Sequence, residues 1–246
     1  MDLNCDLGEG AGHDAQLMPL ITSANIACGA HAGDEATMRA TVALALQHGV
    51  AIGAHPGFAD REKFGRREFK ISPLDAKMLV YHQIQTLQEI AFRLGTYVRH
   101  VKLHGALYNM VSRDRALAEA VVEAIWVTEM NPILFVLAGS ELERVARAKE
   151  DFIVVSEVFA DRTYQPDGSL TPRDRPGALI TDPTVAVAQV LRLVGEGKVR
   201  ATDGSDITVR ADTVCLHGDG PDAKALARRV SAALQAAGVE LRPAAS

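Results

Sequence analysis

Four histidines stand at the ends of apolar runs, each followed within two residues by glycine: His31 in "ANIACGAHAGD", His55 in "AIGAHPG", His104 in "VKLHGALYN" and His217 in "VCLHGDG". Carboxylates accompany them, Asp6 and Glu9 in "DLNCDLGEG", Glu157 and Asp161 in "SEVFADR". Imidazoles and carboxylates gathered in one place supply general acids and bases with pKa values tunable around neutrality. The same groups could hold a divalent metal. No H-E-x-x-H or H-x-H spacing occurs, so local sequence leaves a metal open. Lys102, two residues before His104, either acts on an anion or carbonyl or pairs with Asp6 or Glu157. A lone histidine at a strand end is usually a packing residue. Four at equivalent positions point to one shared site.

For these residues to meet, the apolar runs must be strands that end on one side of a sheet. Strands are expected at Leu3–Leu7, Ala24–Cys28, Val50–Ala54, Val98–Leu103, Pro132–Leu137, Phe152–Phe159 and Thr213–Leu216. Helical spacing lies between them at Glu35–His48, Pro73–Leu94, Arg113–Thr128, Glu141–Ala148 and Pro183–Val194, and Ala223–Ala236 closes the chain. Asp34 and Gly49 read as caps of one helix, while Ser72-Pro73 and Asp182-Pro183 read as helix starts. Alternating strands and helices imply a parallel sheet with helical crossovers.

A seven-stranded β/α barrel and an open doubly wound sheet both give this alternation. Side-chain parity separates them. Asp2, Asn4 and Asp6 share one face of the first strand and Leu3, Cys5 and Leu7 the other. His100, Lys102 and His104 share a face, as do Glu157, Phe159 and Asp161. Both faces of an open parallel sheet lie under apolar helices, whereas a barrel can keep a polar interior. The expected fold is therefore a single-domain α/β barrel spanning residues 1–246, with a hairpin inserted at Lys198–Arg210 turning on Asp203-Gly204.

Asn25 and His31 share parity, so small residues clear space inside while His31 stands at the rim. Cys5 and Cys28 fall on the opposite face as packing, and Cys215 shares parity with His217. Three widely spaced cysteines make poor material for a disulfide framework. With no basic-then-apolar leader in "MDLNCDLGEG", the expected location is the cytoplasm. A formal net charge of −5 argues against nucleic-acid or anionic-membrane partners. Glycine-rich exits "GEGAGHD" and "HGDGPDAKA", the latter carrying Asp219, could cradle phosphate. Two long polar connections carry Arg61, Arg66, Arg67, Arg162, Arg173 and Arg175, a concentration that suits an anionic ligand.

The blocks "DLNCDLGEG", "ANIACGAHAGD", "GAHPGFADREKFGRR", "VKLHGALYN", "EVFADRTYQPDGSLTPRDRPGALI" and "CLHGDGPDA" together resemble the LamB/YcsF family, the A subunits of prokaryotic ATP-dependent 5-oxoprolinase. Ala30 stands where phenylalanine is common in that family, and Leu103 where proline is common. The resemblance implies a seven-stranded β/α barrel of the glycoside hydrolase/deacetylase-like kind that opens 5-oxo-L-proline to L-glutamate with ATP hydrolysis, alongside partner subunits B and C. ATP, with Mg2+, is then the expected cofactor. On that reading Lys102 stabilises charge on the phosphoryl group or lactam oxygen, and Asp6 or Glu9 with His31 or His104 activates water. Asn25, His55, Arg66, Glu157, Asp161, Arg162, His217 and Asp219 would bind substrate or nucleotide. A metal-dependent amide hydrolase and a binding subunit silent without its partners are the competing expectations.

Overall fold

The first strand, β1 (Asp2–Leu7), is buried along its whole length on both faces. One face is polar and the other apolar, so the two must meet different surroundings. The computed structural model, which describes residues 1–128, 133–150, 152–220 and 222–244, shows how. Leu3, Cys5 and Leu7 join the main apolar core, while Asp2, Asn4 and Asp6 meet partners on other strands inside a closed barrel.

The remaining strands are β2 (Ser23–Ala27), β3 (Ala51–His55), β4 (His100–Lys102), β5 (Ile133–Leu137), β6 (Val154–Phe159), β7 (Lys198–Arg200), β8 (Asp206–Thr208) and β9 (Thr213–His217). The barrel closes in the order β1-β2-β3-β4-β5-β6-β9, with every neighbour parallel and β9 returning to β1. The open sheet is thereby excluded. β7 and β8 form the expected antiparallel hairpin apart from the barrel.

The helices are α1 (Asp14–Leu17), α2 (Glu35–His48), α3 (Pro73–Arg93), α4 (Gly105–Val111), α5 (Arg115–Trp126), α6 (Glu141–Arg147), α7 (Pro183–Glu196) and α8 (Ala223–Ala236). Their ends follow the punctuation in the sequence. Asp34 accepts from the Thr37 N–H, Ser72 from Asp75 and Asp182 from Thr184, and Gly49 ends α2 in the left-handed region at φ 66°. Among the described residues no helix is long and apolar enough to cross a membrane.

Three expectations need correction. The predicted strand Val98–Leu103 narrows to the three residues of β4, because Leu103 and His104 already turn toward α4. The expected helix Arg113–Thr128 is α5 alone, preceded by the unexpected α4, which starts at Gly105 with φ 56°. A glycine after a histidine reads as a breaker, yet here it is a close approach: a Cβ on Gly105 would lie 2.6 Å from the Gly65 carbonyl. The predicted strand Phe152–Phe159 begins instead at Val154. Pro132, the first residue of another predicted strand, lies outside the described residues.

The barrel interior is filled in layers. At the amino-terminal end Asp2 accepts from Thr22 at 2.7 Å, Ser23 at 2.6 Å and Thr213, while Ile133, Phe135 and Val155 make a separate apolar cluster. Above them Asn25 donates to Asn4 at 2.7 Å and to Asp6 at 2.9 Å, and His100 Nε2 donates to Asn25 at 2.8 Å. The His100 ring lies flat against β3, where a Cβ on Gly53 would stand 2.0 Å from Nε2. Only glycine fits beneath that ring.

Candidate active site at the carboxyl ends of the strands

β4 delivers Lys102 into the interior, where the ammonium group is buried. It donates to Asp6 Oδ1 at 2.6 Å and to Cys215 Sγ at 3.1 Å, and lies 3.4 Å from Glu157 Oε1. Burial alone would lower the lysine, but Asp6 above all holds it well above its usual range. The Asp6 carboxyl would be raised by burial, yet His55 and Lys102 hold it well below the usual carboxylate range. Burial raises Glu157, whose oxygens still accept from Asn4 at 3.0 Å and from Tyr108 at 2.8 Å. Every charge in this cluster has a partner.

A second cluster forms beside it from the loop after β1 and the exits of β2, β3 and β4. Glu9 Oε1 lies 3.2 Å from His31 Nε2, 3.3 Å from His104 Nδ1 and 3.9 Å from His55 Nε2. His31 and His104 stack in parallel at 3.7 Å, and His55 meets His104 edge-on. Burial, then His55, pushes His31 down to about 3 and holds His104 well below the usual imidazole range, so both are neutral. Burial, then the neighbouring Asp6 and Asp219, raises Glu9 well above the usual carboxylate range. The four residues converge closely enough to share one cation.

Phe64 orients this group. It is the one described non-glycine residue with positive φ, 55°, and its carbonyl accepts from His104 Nε2 at 2.8 Å. Its ring packs edge-on against both His31 and His104, and the Arg66 guanidinium lies 4.8 Å from the centre of that ring.

On the far side, Asp161 accepts from His217 Nδ1 at 2.9 Å. Burial would raise Asp161, but His217 holds it below its usual range. His217 Nε2 then faces Asp6 Oδ2 across 4.0 Å. A carboxylate that fixes one imidazole nitrogen and leaves the other free is the arrangement of an oriented general base.

A cavity of about 600 Å³ opens above these groups, with Asp6, His55, Lys102, His104, Tyr108 and His217 at its floor. Arg66, Arg67, Arg162 and Arg173 line it. Their hydrogen bonds divide them. Arg66 pairs with Asp219, Arg67 with Asp60 at 3.3 Å, and Arg162 donates to the Thr171 and Ala178 carbonyls, clasping its own loop. Arg61 likewise donates to the Gly29 and Gly33 carbonyls. Among the described residues only Arg173, of the four lining the cavity, has neither ion pair nor hydrogen bond.

The structure thus gathers Asp6, Lys102, His55, His104 and His217 at the cavity floor and Arg66 and Arg162 in its wall, with Glu157, Asp161 and Asp219 behind them as partners of Lys102, His217 and Arg66. Asn25 lies a layer below, and Glu9 and His31 lie behind His104 rather than on the cavity surface. Sequence reasoning missed Tyr108, because α4 went unseen, and Phe64, whose role is a carbonyl and carries no side-chain signal.

Fold and site together define a parallel seven-stranded β/α barrel with a polar, acid- and imidazole-lined site at the carboxyl ends of its strands. The chain belongs to the LamB/YcsF family, whose sequence profile matches residues 1–246. It is 52% identical over 246 residues to the A subunit of 5-oxoprolinase from Brevibacillus brevis, covering 98% of this chain and 96% of that one. It superposes on the lactam utilization protein of Thermus thermophilus with a TM-score of 0.90 and 46% identity over 98% of each chain. A family 4 carbohydrate esterase from Streptomyces lividans shares the fold alone, with a TM-score of 0.51 and 11% identity over 97% of this chain and 89% of that one.

Proposed function

We propose that this chain acts as the A subunit of a multi-subunit 5-oxoprolinase, opening the lactam of 5-oxo-L-proline to L-glutamate with hydrolysis of ATP to ADP and phosphate, together with partner subunits B and C. One observation carries the reading: Lys102, Asp6 and His217 meet at the floor of an arginine-lined cavity in a chain half identical to a protein of that name.

A five-membered lactam is an unreactive amide, and ATP supplies the phosphoryl group that, placed on its oxygen, makes the ring carbon electrophilic. An arginine-lined mouth suits a polyanion, and Arg173 has the unspent charge to meet a phosphate or the substrate carboxylate. Lys102 points up from the floor and stabilises negative charge on the lactam oxygen, giving up its contact to Cys215 Sγ to do so. His217, held by Asp161, takes the proton of the attacking water through Nε2 and returns it to the departing ring nitrogen, and a second water then cleaves the resulting acyl phosphate to the free carboxylate and phosphate. Asp6 is too acidic for that role, and Glu9 and His31 lie off the cavity surface.

The test is ring opening by the reconstituted complex. Replacing His217 with Gln should lower turnover about a hundred- to ten-thousand-fold, with a smaller effect on substrate KM. Near-normal turnover in both His217→Gln and Lys102→Met complexes would sink the proposal. Activity of the isolated chain without partners would remove the need for B and C.

A further inference from the structure

A neutral imidazole carries one N–H, so the partner of one nitrogen fixes the state of the other. His104 Nε2 donates to the Phe64 carbonyl at 2.8 Å, which leaves a lone pair on Nδ1. His55 Nδ1 donates to the Lys102 carbonyl at 2.8 Å, which turns Nε2 toward His104 and toward Asp6 Oδ2, 3.3 Å away. These two nitrogens face each other across 2.9 Å. Glu9 Oε1 stands 3.3 Å from the first and 3.9 Å from the second. The His104 lone pair, His55 Nε2 and the Glu9 carboxyl oxygen converge on one point, which a proton can bridge and a metal ion can fill. The ligand atoms of Glu9, His31, His55 and His104 all lie within 4.8 Å of one another, the spacing of a cation cradle.

We propose that Glu9, His31, His55 and His104 form a binding site for one divalent first-row transition-metal ion of the Zn2+ class. Ligands bonded at about 2.0–2.1 Å stand about 3.3 Å apart around a tetrahedral ion and about 2.9 Å apart along an octahedral edge. The separations here, 2.9, 3.2, 3.3 and 3.9 Å, bracket those values. Three imidazoles with one carboxylate suit Zn2+, Co2+ or Fe2+ far better than Mg2+ or Ca2+, which take oxygen.

Two more features fit. His31 Nδ1 is buried without a partner, so no second bond locks that ring or its tautomer. The parallel stack with His104 must splay for both rings to reach one ion, and that missing bond lets His31 turn at little cost. Glycines also clear the walls: a Cβ on Gly57 would lie 2.9 Å from His31 Nδ1, and one on Gly65 would lie 3.0 Å from His104 Cδ2. The neighbouring trio Asp6, Cys215 and His217 is a worse cradle, because the Lys102 ammonium already sits 2.6 Å from Asp6 and 3.1 Å from Cys215 Sγ.

The proposal goes beyond ring opening and is tested without it. The full chain, stripped with a chelator, is titrated with Zn2+ against a chromophoric competitor, and separately with Co2+. One equivalent should bind, and the Co2+ form should show visible d–d bands. Glu9→Gln with His31→Gln should weaken Zn2+ binding by at least about 100-fold, since even outer-shell changes cost 10–100-fold. His48→Ala, at the exposed end of α2, should change nothing. X-ray absorption of the Zn2+-loaded wild type needs no variant and should show nitrogen and oxygen ligands only. The proposal is overturned by no stoichiometric binding, by a sulfur ligand, by equal affinity in the double variant, or by a 15N imidazolium signal from His55 that persists with Zn2+ present. The last result would put a shared proton where the ion is placed.

Discussion

Lys102 and His104 are two residues apart on one strand exit, yet they sit in buried clusters of opposite character. Around Lys102 every donor has an acceptor: Asp6, Glu157 and Cys215 receive the ammonium, and Asn4 and Tyr108 complete Glu157. Around His104 the sum does not close, because one nitrogen of the buried His31 has no partner and three imidazoles crowd a single carboxyl. A saturated buried network holds a structure together, and its members are expensive to remove one at a time. An unsaturated one keeps binding capacity in reserve for something the chain does not supply. Substitutions in the first cluster should therefore destabilise the protein strongly, and substitutions in the second should leave it stable and empty.

Lys102→Met is the severest test. It strands Asp6 and Glu157 in the interior without their cation, and breaking a buried pair from one side costs about 3–5 kcal/mol. Denaturant unfolding at pH 7.5 should show that loss in the midpoint with little change in slope. A loss below about 1 kcal/mol would mean the cluster is not saturated in the sense described.

Gly53→Ala probes the layer that supports this network from beneath. The new Cβ would meet His100 at 2.0–2.4 Å, and a ring enclosed on all sides has nowhere to go. Overpacking and the loss of the His100–Asn25 bond together should cost about 3 kcal/mol. The double variant with His100→Ala should recover part of it, and the coupling shows in a double-mutant cycle.

The same histidine sets an acid limit. Burial, then Lys102 and His55, pushes His100 down to about 3 from its ordinary 6.5, so it is neutral in the folded state. The unfolded chain takes up a proton below 6.5, and the folded one does not until about 3. Stability is therefore lost as pH falls through this window, by about 2 kcal/mol at pH 5 and at most about 5 kcal/mol by pH 3. His100→Gln removes this share, so its stability should fall less steeply than that of the wild type between pH 7 and 5. Parallel curves would place the acid sensitivity elsewhere.

How far the sequence carried this picture differs between the clusters. Parity alone put Asp6, Lys102 and Glu157 in one interior, because a strand's period of two is rigid and a polar face must go somewhere. It also named the Lys102–Asp6 pairing as one of two outcomes. The histidine cluster was legible only as a set of rim residues. Its character depends on which nitrogen meets which carbonyl, and Phe64 and Lys102 offer backbone oxygens that no residue type announces. The arginines behaved similarly: six looked alike in sequence, and only distances across the fold separated those that clasp loops from Arg173. The short helix α4 was lost to Gly105, whose positive φ serves a contact with Gly65 rather than a break.

The smallest expected effect is the sharpest. His31 is buried, but its only polar contact among the described residues is Glu9 at 3.2 Å, and its Nδ1 bonds to nothing. In metal-free protein, His31→Gln should thus move unfolding stability by no more than about 1 kcal/mol, the net worth of one hydrogen bond. The difference should appear only when an ion is offered. An ion that binds the folded state alone stabilises it by about 2.7 kcal/mol at a hundred times its Kd. Zn2+ should then raise the unfolding midpoint of the wild type clearly and that of the variant hardly at all, while Lys102→Met should lose stability whether or not Zn2+ is present. If His31→Gln instead destabilised the metal-free chain as much as Lys102→Met, both clusters would be structural and the contrast between them would disappear.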